Sequence, residues 1–264
     1  MSVTSIRVTH EAGRHRASLR AGLLRPLLVR AGADGCTIGL VATSALLLGG
    51  DQMEISVEVG PGATVHLRDI AGTVAYDGRG IPARWDVRVV IHDGGRLRWS
   101  GEPFVVADGA DVVRQLRVEA AGTARLVLRE SLVLGRFGEL GGRLTSRAEA
   151  AVDGVGVYRE DLVLRSQDNR TAPGMLGRAR VIDSVLSLGR STVGRSASHP
   201  AECWPSAGAA VHGGVGPGHA AHQREAPGSL CHDFCLAGGA GTLTRFLGEE
   251  LATSPLHRAW AADH

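Results

Sequence analysis

The stretch Met53-Glu54-Ile55-Ser56-Val57-Glu58-Val59-Gly60-Pro61-Gly62-Ala63-Thr64-Val65-His66-Leu67 decides the fold class. Its apolar side chains alternate with Glu54, Ser56 and Glu58, which is the period-two signature of a half-buried strand. Gly60-Pro61-Gly62 then turns the chain into a second run, Val65-His66-Leu67. The construction recurs at residues 87–91 and 97–99 around Asp93-Gly94-Gly95, at 116–118 and 126–128 around Ala121-Gly122, and at 148–152 and 155–164 around Asp153-Gly154. Units spaced by roughly thirty residues form an internal repeat, and stacking buries an interior that no single unit could bury alone. The expected fold is mainly β, as stacked antiparallel sheets or a β-superhelical repeat with a few helices, including one near the C-terminus.

Parity within these strands singles out carboxylates. Leu128-Arg129-Glu130-Ser131-Leu132-Val133-Leu134 and Tyr158-Arg159-Glu160-Asp161-Leu162-Val163-Leu164 share one pattern. Residues of one parity share a face, so Glu130 lies with Leu128 and Leu132, and Glu160 with Tyr158 and Leu162. Asp51 precedes Met53 and Ile55 in the same way. An inward carboxylate costs several kcal/mol unless it is paired, hydrated or bound to a cation. Two readings stay open: pairing with some of the 29 arginines, or a partly wet interior in which Asp51, Glu130 and Glu160 line a passage for a metal.

The repeat fades after residue 165, leaving one further strand over 181–188. Residues 191–235 form an irregular Gly/Ala/His-rich loop or insert beyond a β core at 1–190. Over 236–264, Leu243, Phe246, Leu247 and Leu251 follow helical spacing after Thr242, which predicts an amphipathic helix packed on the core.

Composition excludes several chemistries. All 29 basic Lys+Arg positions are arginine, so a P-loop, a pyridoxal Schiff base and a protein kinase are ruled out. A net charge of +2 with interspersed signs does not suit a nucleic-acid binder. Apolar runs are too short to span a membrane, no secretion signal is evident at Met1-Ser2-Val3-Thr4, and four cysteines make no disulfide scaffold. A cytoplasmic location follows as the expectation. No nucleophile elbow or dinucleotide loop is found. Cys231-His232-Asp233-Phe234-Cys235, with Cys203 and seven of the eleven histidines in the last third, is a weak metal signal lacking a second Cys pair. His10-Glu11-Ala12-Gly13-Arg14-His15 fails the helical spacing of a metalloprotease motif.

Several stretches resemble the urease accessory protein family UreD, also called UreH. They are Leu46-Leu47-Leu48-Gly49-Gly50-Asp51, Ala71-Gly72-Thr73-Val74-Ala75-Tyr76, Trp99-Ser100-Gly101-Glu102-Pro103, Leu132-Val133-Leu134-Gly135-Arg136-Phe137-Gly138-Glu139, Ser146-Arg147-Ala148-Glu149 and Arg159-Glu160-Asp161-Leu162. The resemblance implies a non-catalytic, mostly β scaffold that joins UreF, UreG and the urease apoprotein and passes nickel to the urease site through an internal channel. It implies no tightly bound cofactor, only transient Ni2+, and leaves a dimer within that complex open. Carried over, it places Asp51, Thr73, Glu130 and Glu160 on or beside that route, with Glu102, Arg136 and Glu139 as further channel support. Residues 236–260 would contribute to the UreF-facing surface. The chain departs from the family pattern at Val74, where a lysine is usual, at Arg98, and across 190–235. The alternatives are a carbohydrate-active hydrolase using Glu130 and Glu160 as its carboxylate pair, or a plain β interaction module.

Overall fold

In the computed structural model, which describes residues 2–165, 167–172, 174–189 and 230–262, each alternating run is a strand. The strands are β1 (Ser2–Glu11), β2 (Arg14–Arg20), β3 (Leu24–Gly32), β4 (Gly35–Ala42), β5 (Gln52–Val59), β6 (Thr64–Asp69), β7 (Thr73–Ala75), β8 (Ala83–Ile91) and β9 (Arg96–Ser100). They continue with β10 (Phe104–Val106), β11 (Asp111–Ala120), β12 (Arg125–Leu134), β13 (Arg143–Val152), β14 (Val155–Leu164), β15 (Val181–Leu188), β16 (Leu230–Cys235) and β17 (Gly241–Gly248). Helices α1 (Gln167–Thr171) and α2 (Pro255–Ala262) complete the elements used below.

The glycine turns at 60–62, 93–95 and 121–122 carry the chain out of one sheet and into a second sheet facing it, whereas Asp153-Gly154 closes a hairpin within the first sheet. The first sheet runs β14-β13-β11-β8-β5-β1-β2 and the second β16-β17-β15-β12-β9-β6-β4-β3, with β7 and β10 continuing the corner beside β12. Successive coils therefore stack β5 on β8 on β11 on β13, and β4 on β6 on β9 on β12, all in parallel. The superhelical repeat is present, but the expected antiparallel pairing is confined to the ends, at β1–β2, β3–β4, β13–β14 and the strands from β15 onward. Alternation is the same for both pairings, so it could not separate a hairpin turn from one that arches between sheets.

The apolar faces meet in the middle. Ile55, Val57, Val89 and Val118 of the first sheet pack in one cluster with Leu67, Leu97, Leu126 and Leu134 of the second, all at most 2 % exposed. Each such side chain contributes about 1.5–3 kcal/mol by leaving water. Outward residues of the first sheet pair across neighbouring strands as Arg7–Glu58, Arg88–Glu119 and Arg117–Glu149. These exposed pairs stabilise little individually, but they keep a broad sheet face charged, which is where much of the arginine goes.

The C-terminal helix is not where the helical spacing put it. Residues Leu243, Phe246 and Leu247 belong to β17, which is antiparallel to β15. This strand is covered on both faces: Leu243 faces the interior, while Phe246 packs outward with Val181, Val185, Leu256 and Trp260. Apolar residues on both faces erase the period-two contrast and imitate a helix. The helix itself, α2, starts at Pro255 after Ser254, whose Oγ accepts from the His257 amide at 3.3 Å. Of the 191–235 region, Leu230–Cys235 is an edge strand with Cys231, His232 and Cys235 along it; Cys203 and the histidines at 199, 212, 219 and 222 lie outside the described residues.

Candidate functional site

Register places polar side chains in a row across the second sheet. The pairing Arg68–Ser100–Arg129 brings the next residues, Asp69, Gly101 and Glu130, side by side, and Glu130–Ser184 and Ser184–Arg245 continue the row. Four strand steps of about 4.8 Å make this ladder ~19 Å long, running along the coil axis. Opposite it, the first sheet supplies the rows Trp85–Arg114–Ser146 and Val87–Leu116–Ala148–Glu160.

Two small cavities lie between these rows. The first, about 30 Å³, is bounded by Asp69, Thr73, Trp99, Glu102, Arg114 and Glu130 among others. The second, also about 30 Å³, is bounded by Glu130, Ser146, Tyr158, Glu160, Ser184 and Arg245 among others. Glu130, Leu116 and Leu128 form the shared wall. Each space can hold one or two waters and nothing larger. Trp85 Nε1 and Arg114 Nε, on residues lining the first cavity, are buried with no hydrogen-bond partner among the described residues, so water has both room and partners there.

The inward glutamates are paired across the sheets. Arg114 of β11 donates to Glu130 of β12 at 2.6 Å, and Arg245 of β17 donates to both oxygens of Glu160 on β14. Tyr158 adds a hydroxyl hydrogen bond to Glu160 at 3.1 Å. Burial alone would raise the Glu160 carboxyl, but the Arg245 hydrogen bonds and charge, with Tyr158, hold it below the usual carboxylate range. Burial and the Glu160 charge push the Tyr158 hydroxyl well up, so it stays a neutral donor. Both glutamates keep 30 % of their side chains accessible. The arginine pairing read from sequence and a polar interior therefore coexist.

Asp69 is buried without an arginine of its own among the described residues. It accepts from Trp99 Nε1 at 3.1 Å and from the Glu102 amide at 3.3 Å, and among the described residues no cation is bonded to it. Burial pushes its carboxyl up to about 6, with the Glu102 and Glu130 charges adding to a rise that those two hydrogen bonds oppose. At the same corner, a Cβ on Gly101 would run into the Arg129 carbonyl oxygen, so only glycine lets β9 turn away there.

The other residues singled out from sequence fall as follows. Thr73 and Glu102 line the first cavity. Asp51 lines neither; it precedes β5 and its carboxylate accepts from the Leu48 amide at 3.0 Å, closing a turn in which Leu47 and Gly50 have positive φ. Arg136 and Glu139 also line neither. They pair with each other, and Glu139 accepts from the Asp108 amide at 3.2 Å, tying neighbouring crossover loops together. The Arg136 hydrogen bonds hold the Glu139 carboxyl down to about 2. Sequence reading missed Asp69, Arg114 and Arg245, although Val65, Leu67 and Asp69 share a parity, as do Val112, Arg114 and Leu116.

A hydrolase does not fit. A space of about 30 Å³ admits no sugar ring, and Glu160 is held ionised by Arg245 rather than raised toward the proton-donating acid that glycosidases need.

Comparison with known proteins bears on the same conclusion. Residues 5–253 match the family described as UreD urease accessory protein. Urease accessory protein UreD 1 of Streptomyces griseus is 47 % identical over 191 residues, covering 70 % of this chain and 74 % of the relative. The UreD proteins of Frankia alni and Frankia casuarinae are each 37 % identical, over 229 and 235 residues, covering 80 % of this chain and 72 % and 74 % of theirs. With that match running through nearly every strand of both sheets, the chain belongs to the UreD family of urease accessory proteins, a non-catalytic family.

Proposed function

We propose that this chain is a maturation scaffold for urease, acting in the cytoplasm with UreF, UreG and the urease apoprotein, and that its interior ladder carries Ni2+ toward the urease site. The observation that carries the reading is the row Asp69–Glu130–Ser184–Arg245, faced by Glu160 and flanked by water-sized cavities on both sides of Glu130. Among the described residues no cation is bonded to Asp69, which lies near Glu102 and Glu130, so a passing divalent cation would be favoured there by the charge it offsets. Oxygen donors hold a borderline metal such as nickel weakly, and weak holding suits passage rather than storage. Glu130 and Glu160 line the route, with Thr73 and Glu102 at the Asp69 end. Arg245 keeps Glu160 ionised, and Arg114 and Arg245 each offer a pairing that an arriving cation exchanges for its own.

No helix of the described residues is long and apolar enough to cross a membrane. The test is co-expression with a urease cluster lacking its own copy of this gene. Glu130→Gln and Glu160→Gln should leave the accessory complex assembled while lowering nickel content and urease activity together. Asp51→Ala, which removes a turn hydrogen bond away from the ladder, is the comparison. If both glutamine variants activate urease as the wild type does, the ladder is only a set of structural ion pairs.

A further inference from the structure

The His10–His15 pair, which has the wrong spacing for a helical metal motif, is brought together by a hairpin instead. Between β1 and β2 the turn has two residues, Ala12 at φ 49° and Gly13 at φ 72°, the left-handed pair of a type I′ hairpin. That turn sets His10 directly opposite His15, and their rings stack with centroids 4.4 Å apart and planes 22° from parallel. Arg14 and Arg16 flank His15 in β2 and alternate to the other face of the strand.

His15 is prepared in a particular way. It is 9 % exposed, and its Nδ1 lies 3.0 Å from the Gly32 carbonyl oxygen of β3. A carbonyl can only accept, so Nδ1 carries the proton and donates. In the neutral ring the lone pair then resides on Nε2. That Nε2 is buried and has no hydrogen-bond partner among the described residues. An imidazole whose Nδ1–H is fixed by a backbone carbonyl, with a bare Nε2 beside a second imidazole, has the outer-shell arrangement of a metal-binding histidine.

We infer that His10 and His15 form a two-imidazole site for a borderline divalent cation of the Ni2+, Zn2+, Cu2+ class, at the β1–β2 end of the coil stack and separate from the interior ladder. The rings as they stand are stacked; closing on an ion requires rotation of His10, which is exposed. Among the described residues no group of three or more His, Cys, Asp or Glu converges on one point. Water must therefore complete the coordination, so the movement of His10 off the stack has also to open the buried His15 Nε2 to solvent, and the ion exchanges readily, unlike one in a closed four-ligand structural site.

The test uses the full chain, purified metal-free and titrated calorimetrically with NiCl2, CuCl2 and MgCl2. Other histidines contribute background, which the His10→Ala/His15→Ala double variant defines. The expected result is one equivalent of Ni2+ and Cu2+ binding in the wild type that the double variant lacks, with Cu2+ tighter than Ni2+ and Mg2+ inert. His10→Ala, at an exposed position that leaves the fold alone, weakens that equivalent by about tenfold or more, and the electron paramagnetic resonance spectrum of bound Cu2+ loses a nitrogen ligand. Unchanged Ni2+ and Cu2+ isotherms in His10→Ala overturn the inference, as does equal binding of Mg2+. Glu130→Gln leaves this equivalent intact, so the pair and the interior route stand or fall separately.

Discussion

Replacing Asp69 by asparagine should stabilise the protein at neutral pH and do so less as the pH falls. The Asp69 carboxyl is raised from an ordinary 3.8 to about 6 by burial, opposed only in part by its two hydrogen bonds. Two units correspond to about 3 kcal/mol of penalty for holding the group ionised at pH 7.5. Asparagine removes that penalty, but its single carbonyl cannot accept from both Trp99 Nε1 and the Glu102 amide. The unpaired donor costs about 1–2 kcal/mol, leaving a net gain of about 1–2 kcal/mol. The sign of the pH dependence is fixed. Between about pH 4 and 6 the folded carboxyl holds a proton that the unfolded one has released, so the Asp69 contribution to stability declines as pH rises through that window. Below pH 4 the penalty is absent and the variant is the less stable protein by its lost hydrogen bond. Urea unfolding of both proteins from pH 4.5 to 8 measures this difference free of every other titrating group. A difference constant over that range would refute the raised carboxyl and, with it, the idea that an ionised Asp69 is kept at a cost in stability.

Other expectations follow from single contacts. Asp183 is fully buried and accepts from Arg129 Nε and Nη2, both at 3.0 Å, Ser131 at 2.8 Å and Ser254 at 2.7 Å. Asp183→Ala strands a buried guanidinium and should cost about 3–5 kcal/mol, read by urea unfolding, with protease sensitivity appearing first at α2. The double change Asp183→Leu with Arg129→Met should recover most of that loss. Ala12 occupies a left-handed position that favours Asn or Gly; Ala12→Asn should stabilise by about 0.5–1 kcal/mol and raise the melting temperature by ~1–4 °C.

How much of this was legible in the sequence depends on what alternation can and cannot carry. Parity correctly turned Glu130 and Glu160 inward, and applied to Val65-His66-Leu67-Arg68-Asp69 it would have turned Asp69 inward too. It failed at Asp51, because the apolar pattern was extended one residue past the strand into a turn. It also failed at Arg245, because a strand apolar on both faces has no contrast to detect. The partner of each glutamate was out of reach. Leu128–Leu134 and Tyr158–Leu164 look like the same strand of successive coils, yet the β13–β14 hairpin puts Glu130 and Glu160 in opposite sheets. The ladder exists only once register is fixed, and register depends on turn geometry that glycine content signals without specifying. His10 and His15 were set aside for the same reason: five residues apart is wrong on a helix and right across a two-residue hairpin turn.

If metal moves through the space beside Glu130 and Glu160, filling that space without touching a charge should stop it. Ala148 lines the second cavity between Leu116 and Glu160. Ala148→Val suits the strand and adds two methyl groups where a water fits, at an overpacking cost of about 1–3 kcal/mol. This variant should fold, enter the accessory complex in wild-type amounts, and deliver urease with clearly less nickel per active site. Full nickel content in urease matured by an assembled Ala148→Val complex would exclude this interior route.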